Sequence, residues 1–260
     1  MRADAPAADA LLTERRDSVL VVTLNRPDAR NAVNAAVAQG IADAMEELEG
    51  DEDLRVGVLT GAGGTFCAGM DLKAFVRGES PYVERRGFAG IAQQPPEKPM
   101  IAAVEGYALA GGFEVALACD LIVAAEDARF GIPEVKRGLF AAGGGLIRLP
   151  KRIPYHMAME LALTGDPVEA PRARELGLVN RVTAPGEALS GALELAATIA
   201  RNGPLALDTS KRVVRGSIDW TEEEAWERQG ELAGKVFGSE DAQEGAKAFA
   251  EKREPVWRGR

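Results

Sequence analysis

Short apolar runs separated by turn signals dominate the first 140 residues of the chain. The β-branched run at 18–24 ends at Asn-Arg-Pro, and the runs at 55–61 and 100–106 end at glycine, so each predicts a buried strand. Residues 34–50 carry apolar side chains at helical spacing before a terminal glycine, which predicts a helix. Two more strands are predicted within 121–132. The alternation of strands and helices predicts an α/β core.

The pattern changes past about residue 150, where strand signals become sparse. Helical periodicity with caps or breakers predicts four segments, at 158–165, 191–201, 203–215 and 221–237. The C-terminal third is therefore expected to be mainly helical. Its apolar faces must cover either the core or another subunit, and the pattern leaves both alternatives open.

Composition and charge narrow the class of protein. A chain of 260 residues with 46% hydrophobic and 27% charged residues suits one sizeable domain, with or without a small appendage. No apolar run reaches the roughly 18 residues that a membrane helix requires, and the N-terminal segment lacks the apolar stretch of a secretory signal, so we expect a cytoplasmic protein. The net charge of −9 opposes binding to nucleic acid and to anionic membranes.

The cysteines and the single histidine exclude several kinds of site. Cys67 and Cys119 lack CxxC spacing, and His156 has no second histidine to complete a zinc site or a histidine-centred triad. We therefore expect no metal. Both cysteines are interpreted as small buried apolar residues, since free cysteine is among the most buried residue types.

Two glycine-rich segments follow predicted strands. The first, TGAGGTFCAGMDL, lacks the third glycine of GxGxxG and the lysine of a phosphate loop, so neither nucleotide fingerprint fits. Small side chains there let a backbone N–H approach a ligand, although a tight strand-to-helix turn would use the same residues. In the second, EGYALAGGFEVALACD, a helix is predicted to open near Gly111 with Glu114 in its first turn. Backbone donors at such a helix start favour developing negative charge.

Glu114 and Glu134 each sit in the first turn of a predicted helix, Glu134 directly after Pro133. Taken singly, such a carboxylate usually does no more than complement the helix dipole, a contribution of roughly 0.3 to 1 kcal/mol. Paired in one pocket, however, two carboxylates are suited to general acid and base catalysis.

The motifs together resemble those of the crotonase superfamily, whose best-known activity is that of enoyl-CoA hydratase. The resemblance runs through nearly the whole chain in the family's order and spacing. It is carried by LNRPDARNAVN, LTGAGGTFCAGMDLKAF, AAVEGYALAGGFEVALACDLIVAAEDARFGIPEVKRG, ELALTGDPVEAPRARELGLVNRV and SEDAQEGAKAFAEKREPVW.

The resemblance implies a crotonase-like superhelix of repeated ββα units with a mainly helical C-terminal region. It further implies a core with the CoA and active site at 1–200, followed by helices at 201–260 for oligomer contacts and active-site cover. A homotrimer or a dimer of trimers is the assembly implied, with an acyl-CoA as the small-molecule substrate and no cofactor, because coenzyme A is part of the substrate.

The resemblance also assigns roles to individual positions. Glu114 and Glu134 would be the catalytic pair, and the N–H groups of Ala68 and Gly111 would form the oxyanion hole for the thioester oxygen. The residues implied to bind the CoA portion are Ala29, Arg30, Ala68, Gly69, Met70, Asp71 and Leu72.

Retention of both glutamates favours hydration of a 2-enoyl-CoA to a 3-hydroxyacyl-CoA, while isomerisation, dehydration of the carnitinyl-CoA type and non-catalytic acyl-CoA binding stay open.

Two departures from the family pattern lie near the acyl end: Ala110 replaces the first of three glycines, and Phe140-Ala141 stands where a proline is usual. The proline-rich, charged segment at 75–99 predicts a loop and helix over the acyl pocket.

Overall fold

The computed structural model describes residues 10–260. Residues 1–9, which include most of the N-terminal segment judged above not to be a secretory signal, lie outside the described residues. Within the described part the strands are β1 (Leu11–Arg16), β2 (Val19–Leu24), β3 (Val56–Gly61), β4 (Tyr82–Val83), β5 (Gly87–Phe88), β6 (Met100–Val104), β7 (Tyr107–Leu109), β8 (Leu121–Ala125), β9 (Arg129–Gly131), β10 (Val168–Glu169) and β11 (Arg181–Thr183).

The helices alternate with these strands and then continue alone. The α-helices are α1 (Ala35–Gly50), α2 (Leu72–Val76), α3 (Gly111–Ala118), α4 (Gly145–Arg148), α5 (Tyr155–Thr164), α6 (Ala170–Glu175), α7 (Ala188–Ala200), α8 (Pro204–Gly216), α9 (Glu222–Phe237) and α10 (Glu240–Glu251). Short 3-10 helices span Pro27–Ala29, Pro133–Arg137 and Leu149–Lys151.

A six-stranded sheet in the order β1-β2-β3-β6-β8-β11 forms the centre of the molecule. All neighbours pair in parallel except β1 and β2, which form an antiparallel hairpin. The strands predicted at 18–24, 55–61, 100–106 and 121–132 and the helix predicted at 34–50 are all present, which confirms the α/β core. A smaller sheet, β10-β9-β7, lies beside it.

Each face of the large sheet carries its own apolar layer, because side chains alternate along a strand. In β2, Val19 and Val21 face a layer that includes α7, whereas Leu20, Val22 and Leu24 face the larger layer with α1 and α3. The buried face of α7 is an alanine ladder of Ala188, Ala192, Ala196 and Ala200, four residues apart. Side chains this small let the helix lie close to the strands.

The C-terminal helices are far less buried than the core. No residue of α8 or α9 is buried, and Trp226 and Phe237 of α9 are 67% and 80% exposed. The mainly helical C-terminal third is thus confirmed, with the exceptions of β10 and β11, two short strands that the sequence pattern did not reveal. None of the helices found in residues 10–260 combines the length and apolar character needed to cross a membrane.

The prediction of a helix within 75–99 is wrong beyond the end of α2. The segment instead forms the antiparallel hairpin of β4 and β5, in which Tyr82 pairs with Phe88. Arg85 in the turn and Gly87 at the start of β5 both have positive φ, of 64° and 74°, and glycine adopts this conformation at position 87 without steric cost. The hairpin places Phe88 in the core while Tyr82 stays half exposed.

Candidate active site

The loop that follows β3 is held in place by a buried asparagine. The Asn31 side chain is fully buried, and its Nδ2 donates to the carbonyl oxygens of Ala62 at 2.9 Å and Thr65 at 2.6 Å. Its Oδ1 accepts from the Arg26 N–H at 2.8 Å. Asn31 therefore joins the turn after β2 to the loop after β3, and each polar atom of its amide has a partner. Asn31 lies in the motif LNRPDARNAVN, but no sequence pattern indicates that it joins these two loops.

The backbone amides of Ala68 and Met70 differ in whether they already have an acceptor. The Ala68 N–H donates to the Arg30 carbonyl oxygen at 3.0 Å, so this predicted donor is already occupied. Two residues on, the Met70 N–H donates to no acceptor within residues 10–260, although the flanking Gly69 carbonyl and Asp71 N–H both bond to Val33. The Gly69 N–H donates to the Cys67 Sγ at 3.4 Å, so within 68–70 the amide without an acceptor in the described residues is that of Met70, which was predicted as a CoA contact.

The N-terminus of α3 meets this loop closely. A Cβ added to Gly69 would lie 2.9 Å from the Ala110 Cβ and 3.0 Å from the Gly111 nitrogen, so only glycine fits there. A Cβ on Gly111 would lie 3.5 Å from the Met70 nitrogen. The Gly111 N–H, like that of Met70, has no acceptor in the described part of the chain. Two unpaired backbone donors thus lie side by side at a helix start, an arrangement that suits an oxyanion.

Glu114 is buried in the first turn of α3, with 4% of the residue exposed. Its Oε1 accepts the Gly145 N–H at 2.9 Å. Burial raises the pKa of Glu114, while hydrogen bonds from the Gly145 and Gly143 amides act in the opposite direction and stabilise the carboxylate. The backbone of 143–145 therefore fixes the orientation of this carboxyl group.

Glu134 lies in the first turn of the helix predicted to begin at Pro133, which is a 3-10 helix over Pro133–Arg137. Its Oε2 is buried and has no hydrogen-bond partner within residues 10–260. Burial, and to a smaller extent the negative charge of Glu114, together raise the pKa of Glu134 to about 7. The structure thus brings the two predicted carboxyl groups, twenty positions apart in the chain, into one electrostatic environment.

The Phe88 ring lies beside Gly111, at the start of α3, and beside Gly143, next to the Glu114 carboxylate. A Cβ on Gly111 would lie 2.5 Å from the Phe88 ring, and one on Gly143 would lie 3.2 Å from the ring and 2.7 Å from Oε2 of Glu114. Tyr82 meets Phe88 edge to face, with ring centroids 5.7 Å apart. No sequence pattern predicts this aromatic wall of Tyr82 and Phe88, because it depends on the pairing of β4 with β5.

The predicted CoA-contact residues occupy two adjoining turns. Ala29 ends the 3-10 helix at 27–29, and Arg30 follows it in the left-handed conformation with φ of 51°. Asp71 caps α2 and forms an ion pair with Arg26 at 2.8 Å, in which both side chains are about one tenth exposed, at 11% and 9%. Its carboxylate is therefore used within the fold. Leu72, beside it, is 47% exposed.

Comparison with known proteins places this site among a large group of relatives. The sequence model of the family described as enoyl-CoA hydratase/isomerase matches residues 14–260. Enoyl-CoA hydratase EchA19 of Mycobacterium tuberculosis is 45% identical over 256 residues, with 96% of each chain covered. Carnitinyl-CoA dehydratase of Salmonella paratyphi A is 42% identical over 261 residues, which cover 97% of this chain and 100% of the relative.

A solved structure has the same architecture. The crystal structure of an enoyl-CoA hydratase from Mycobacterium tuberculosis superimposes with a TM-score of 0.95 at 60% identity, covering 97% of this chain and 100% of that one. The match confirms the fold class implied by the resemblance, a crotonase-like arrangement of ββα units with a mainly helical C-terminal region.

Proposed function

The chain belongs to the enoyl-CoA hydratase/isomerase family, and from that premise we propose that it is an enoyl-CoA hydratase. The reaction adds water across the double bond of a 2-enoyl-CoA and gives a 3-hydroxyacyl-CoA. The observation that carries the proposal is the pair of glutamates: Glu114 is held by backbone amides, and Glu134 has a pKa of about 7. Two carboxyl groups with different environments suit one base and one acid.

Backbone N–H groups stabilise the negative charge that develops on the thioester oxygen. As water attacks the β-carbon, the π electrons of the conjugated system move onto this oxygen and form an enolate. We assign the Met70 and Gly111 N–H groups as its donors, which replaces Ala68 by Met70, because the Ala68 N–H is bonded to Arg30. One well-aimed donor of this kind lowers a barrier by about 3 kcal/mol.

The protons then follow from the two carboxyl groups. Glu114 accepts a proton from the attacking water, whose oxygen bonds to the β-carbon. Glu134 delivers its proton to the α-carbon as the enolate collapses. A carboxyl group with a pKa of about 7 retains a substantial protonated fraction near neutral pH, which this donation requires. These steps use no cofactor or metal, and the CoA belongs to the substrate.

The CoA portion is proposed to run along the turns that adjoin the Met70 amide. Ala29, Arg30 and the stretch 68–72 line that approach, with Arg30 and the half-exposed Leu72 as side chains able to contact it. The Asp71 contribution is through its backbone, since its carboxylate is bound to Arg26.

Dehydration of a carnitinyl-CoA-type substrate is the second candidate, and it is favoured by the relative of that name at 42% identity. The same pair of carboxyl groups serves in reverse, because a base in one direction is an acid in the other. The two candidates therefore differ in the acyl group and in the favoured direction, with the same residues in the same places.

The test follows loss of the conjugated enoyl absorbance with crotonyl-CoA and longer 2-enoyl-CoAs, for the wild type and for Glu114→Gln and Glu134→Gln. The matched control is Glu227→Gln, because Glu227 is an exposed residue of α9. We expect each active-site variant to lose at least about 100-fold in kcat/KM, the lower range for acid-base catalysis, and the control to match the wild type. Equal rates in all four proteins would contradict the assignment. A β,γ-isomer as the product would indicate an isomerase, and selective turnover of carnitinyl-CoA would favour the second candidate.

We propose that the C-terminal region from 201 to 260 mediates assembly into a homotrimer or a dimer of trimers. The support is the exposed apolar surface of α9, where Trp226 is 67% and Phe237 80% exposed, since surfaces of this kind mark subunit contacts. Light scattering on Trp226→Glu and Phe237→Glu variants is expected to show smaller particles than the wild type.

A further inference from the structure

A cavity adjoins the catalytic site on the far side of the backbone of 142–144. It has a volume of about 840 Å³ and is bounded by α8 on one side, and on the other by the starts of β6 and β8, by α4 and by the backbone of 142–144. Neither catalytic glutamate lines it. We call it the arginine cavity, after Arg148, Arg152 and Arg215, which converge on it from α4, the turn after Lys151 and α8.

The acidic groups on the cavity wall are already paired. Asp120 accepts from Lys211 at 2.7 Å, and Asp219 is bound to Lys151. Within each ion pair the positive and negative charges cancel. The three arginines therefore give the cavity wall a net positive charge. Asp120 attracts Arg152 and Glu114 attracts Arg148, but neither arginine forms an ion pair within residues 10–260.

The arginines themselves contact only neutral acceptors. Arg148 donates to the Ala92 carbonyl oxygen at 2.6 Å and Arg152 to the Cys119 carbonyl oxygen at 3.2 Å, whereas Arg215 has no acceptor within residues 10–260. Burial lowers the pKa of Arg148, and the positive charges of Arg152 and Arg215 lower it further. Like charges gathered in a partly buried site repel each other unless an anion joins them.

We propose that the arginine cavity is a binding site for a small oxyanion, a phosphate or carboxylate group. The planar guanidinium group matches both groups through paired hydrogen bonds, and a charged acceptor makes these bonds stronger than the present bonds to carbonyls. The volume falls within the range of small-molecule pockets. Ile147, Val214 and Ile218 also line the cavity and leave room for an aliphatic part of such a ligand.

The test is a calorimetric titration of the full-length protein with inorganic phosphate, at constant ionic strength set with sodium chloride. Arg215→Gln removes the arginine that has no other acceptor. Arg212→Gln is the matched control, because Arg212 is an exposed arginine on the same helix that does not line the cavity. Arg215→Lys retains the charge without the paired geometry. Titrations with hexanoate and with coenzyme A separate a carboxylate and a larger phosphate-bearing ligand from free phosphate.

We expect saturable phosphate binding by the wild type and by Arg212→Gln, weakened about tenfold or more in Arg215→Gln, as for loss of a hydrogen bond to a charged group. Arg215→Lys is expected to lie between them. The proposal would be overturned if neither phosphate nor hexanoate bound to the wild type, and also if Arg212→Gln and Arg215→Gln bound them equally. Binding of coenzyme A counts toward the cavity only where Arg215→Gln weakens it, because the catalytic site is itself proposed to bind CoA. A smaller oligomer for Arg215→Gln with unchanged phosphate binding would overturn it too, because the cluster would then serve a contact between copies.

Discussion

The backbone at Ala110 offers a direct test of how the start of α3 is built. Ala110 has φ of 51° and ψ of −129°, a conformation that is essentially restricted to glycine. Its N–H donates to Gly131 at 2.8 Å, and its carbonyl oxygen accepts from Phe113 at 2.9 Å and Glu114 at 3.1 Å. These bonds hold the residue in the strained conformation, so Ala110→Gly should stabilise the protein.

The expected size of the effect is a difference of two opposing contributions. Strain of this type costs about 1–3 kcal/mol, whereas the extra freedom of glycine in the unfolded chain costs about 0.4–1 kcal/mol. The free energy of unfolding should therefore rise by about 1 kcal/mol. For a chain of this size that corresponds to an increase in Tm of about 3 °C.

Differential scanning calorimetry at equal protein concentrations measures this shift, since assembly makes Tm depend on concentration. The matched control is Ala206→Gly, the same chemical change at an exposed position within α8. There the backbone is helical, so the substitution should lower the free energy of unfolding by about 1 kcal/mol. A Tm for Ala110→Gly that is unchanged or lower than the wild-type Tm would refute the reasoning about strain.

Four further predictions concern the site and the loop that holds it. The kcat/KM of the wild type should fall as pH rises through about 7, because Glu134 then loses the proton that it donates; Glu134→Gln should lack this alkaline fall in its residual activity. Because its pKa is raised in the folded state, protonated Glu134 stabilises the fold. This contribution is present below the unfolded pKa of about 4.5 and is lost as pH rises through about 7. The free energy of unfolding, measured with urea at several pH values, should therefore depend less on pH for Glu134→Gln than for the wild type. Phe88→Leu should raise the kcat/KM for acyl groups branched near the β-carbon relative to crotonyl-CoA, because it shortens the wall against Gly111 and Gly143, and competition between the two substrates measures that ratio. Asn31→Ala should lower the free energy of unfolding by about 3 kcal/mol, since it removes three buried hydrogen bonds of about 1 kcal/mol each; a loss under 1 kcal/mol in urea would show that the loop does not depend on it.

Sequence patterns predicted the parts of the fold that are long and regular. The buried strand β2 and the helix α1 have clear periodicity, whereas β1 is an edge strand whose residues after Leu11 are all exposed, so no alternation marks it. The strand β11 has only three residues and is defined by its pairing with β8. Short or exposed strands depend on their neighbours more than on their own residues.

The residues of the site divide in the same way, into those that sequence motifs predict and those that depend on contacts between distant parts of the chain. Glu114 and Glu134 could be named from the spacing of motifs, and the structure places them together. Motif spacing could not decide which amide of the 68–70 stretch is free, because that depends on the Arg30 carbonyl, which arrives from a different turn of the chain. The contact between Tyr82 and Phe88 was not predicted either, because it forms only when β4 pairs with β5, two strands of two residues each.

The backbone of 143–145 separates the Glu114 carboxylate from the arginine cavity with almost no side chain of its own. A Cβ at Gly143 would strike Glu114 at 2.7 Å, and one at Gly144 would strike the Arg148 guanidinium group. This partition therefore has little freedom to diverge in sequence. Changes in the ligand preference of the cavity can instead arise on its opposite side, at Val214 and Arg215 of α8 and at Ile218 just after it, without touching the backbone of 143–145. The catalytic site and the arginine cavity therefore share a wall of glycine backbone, and each can change only at residues outside that wall.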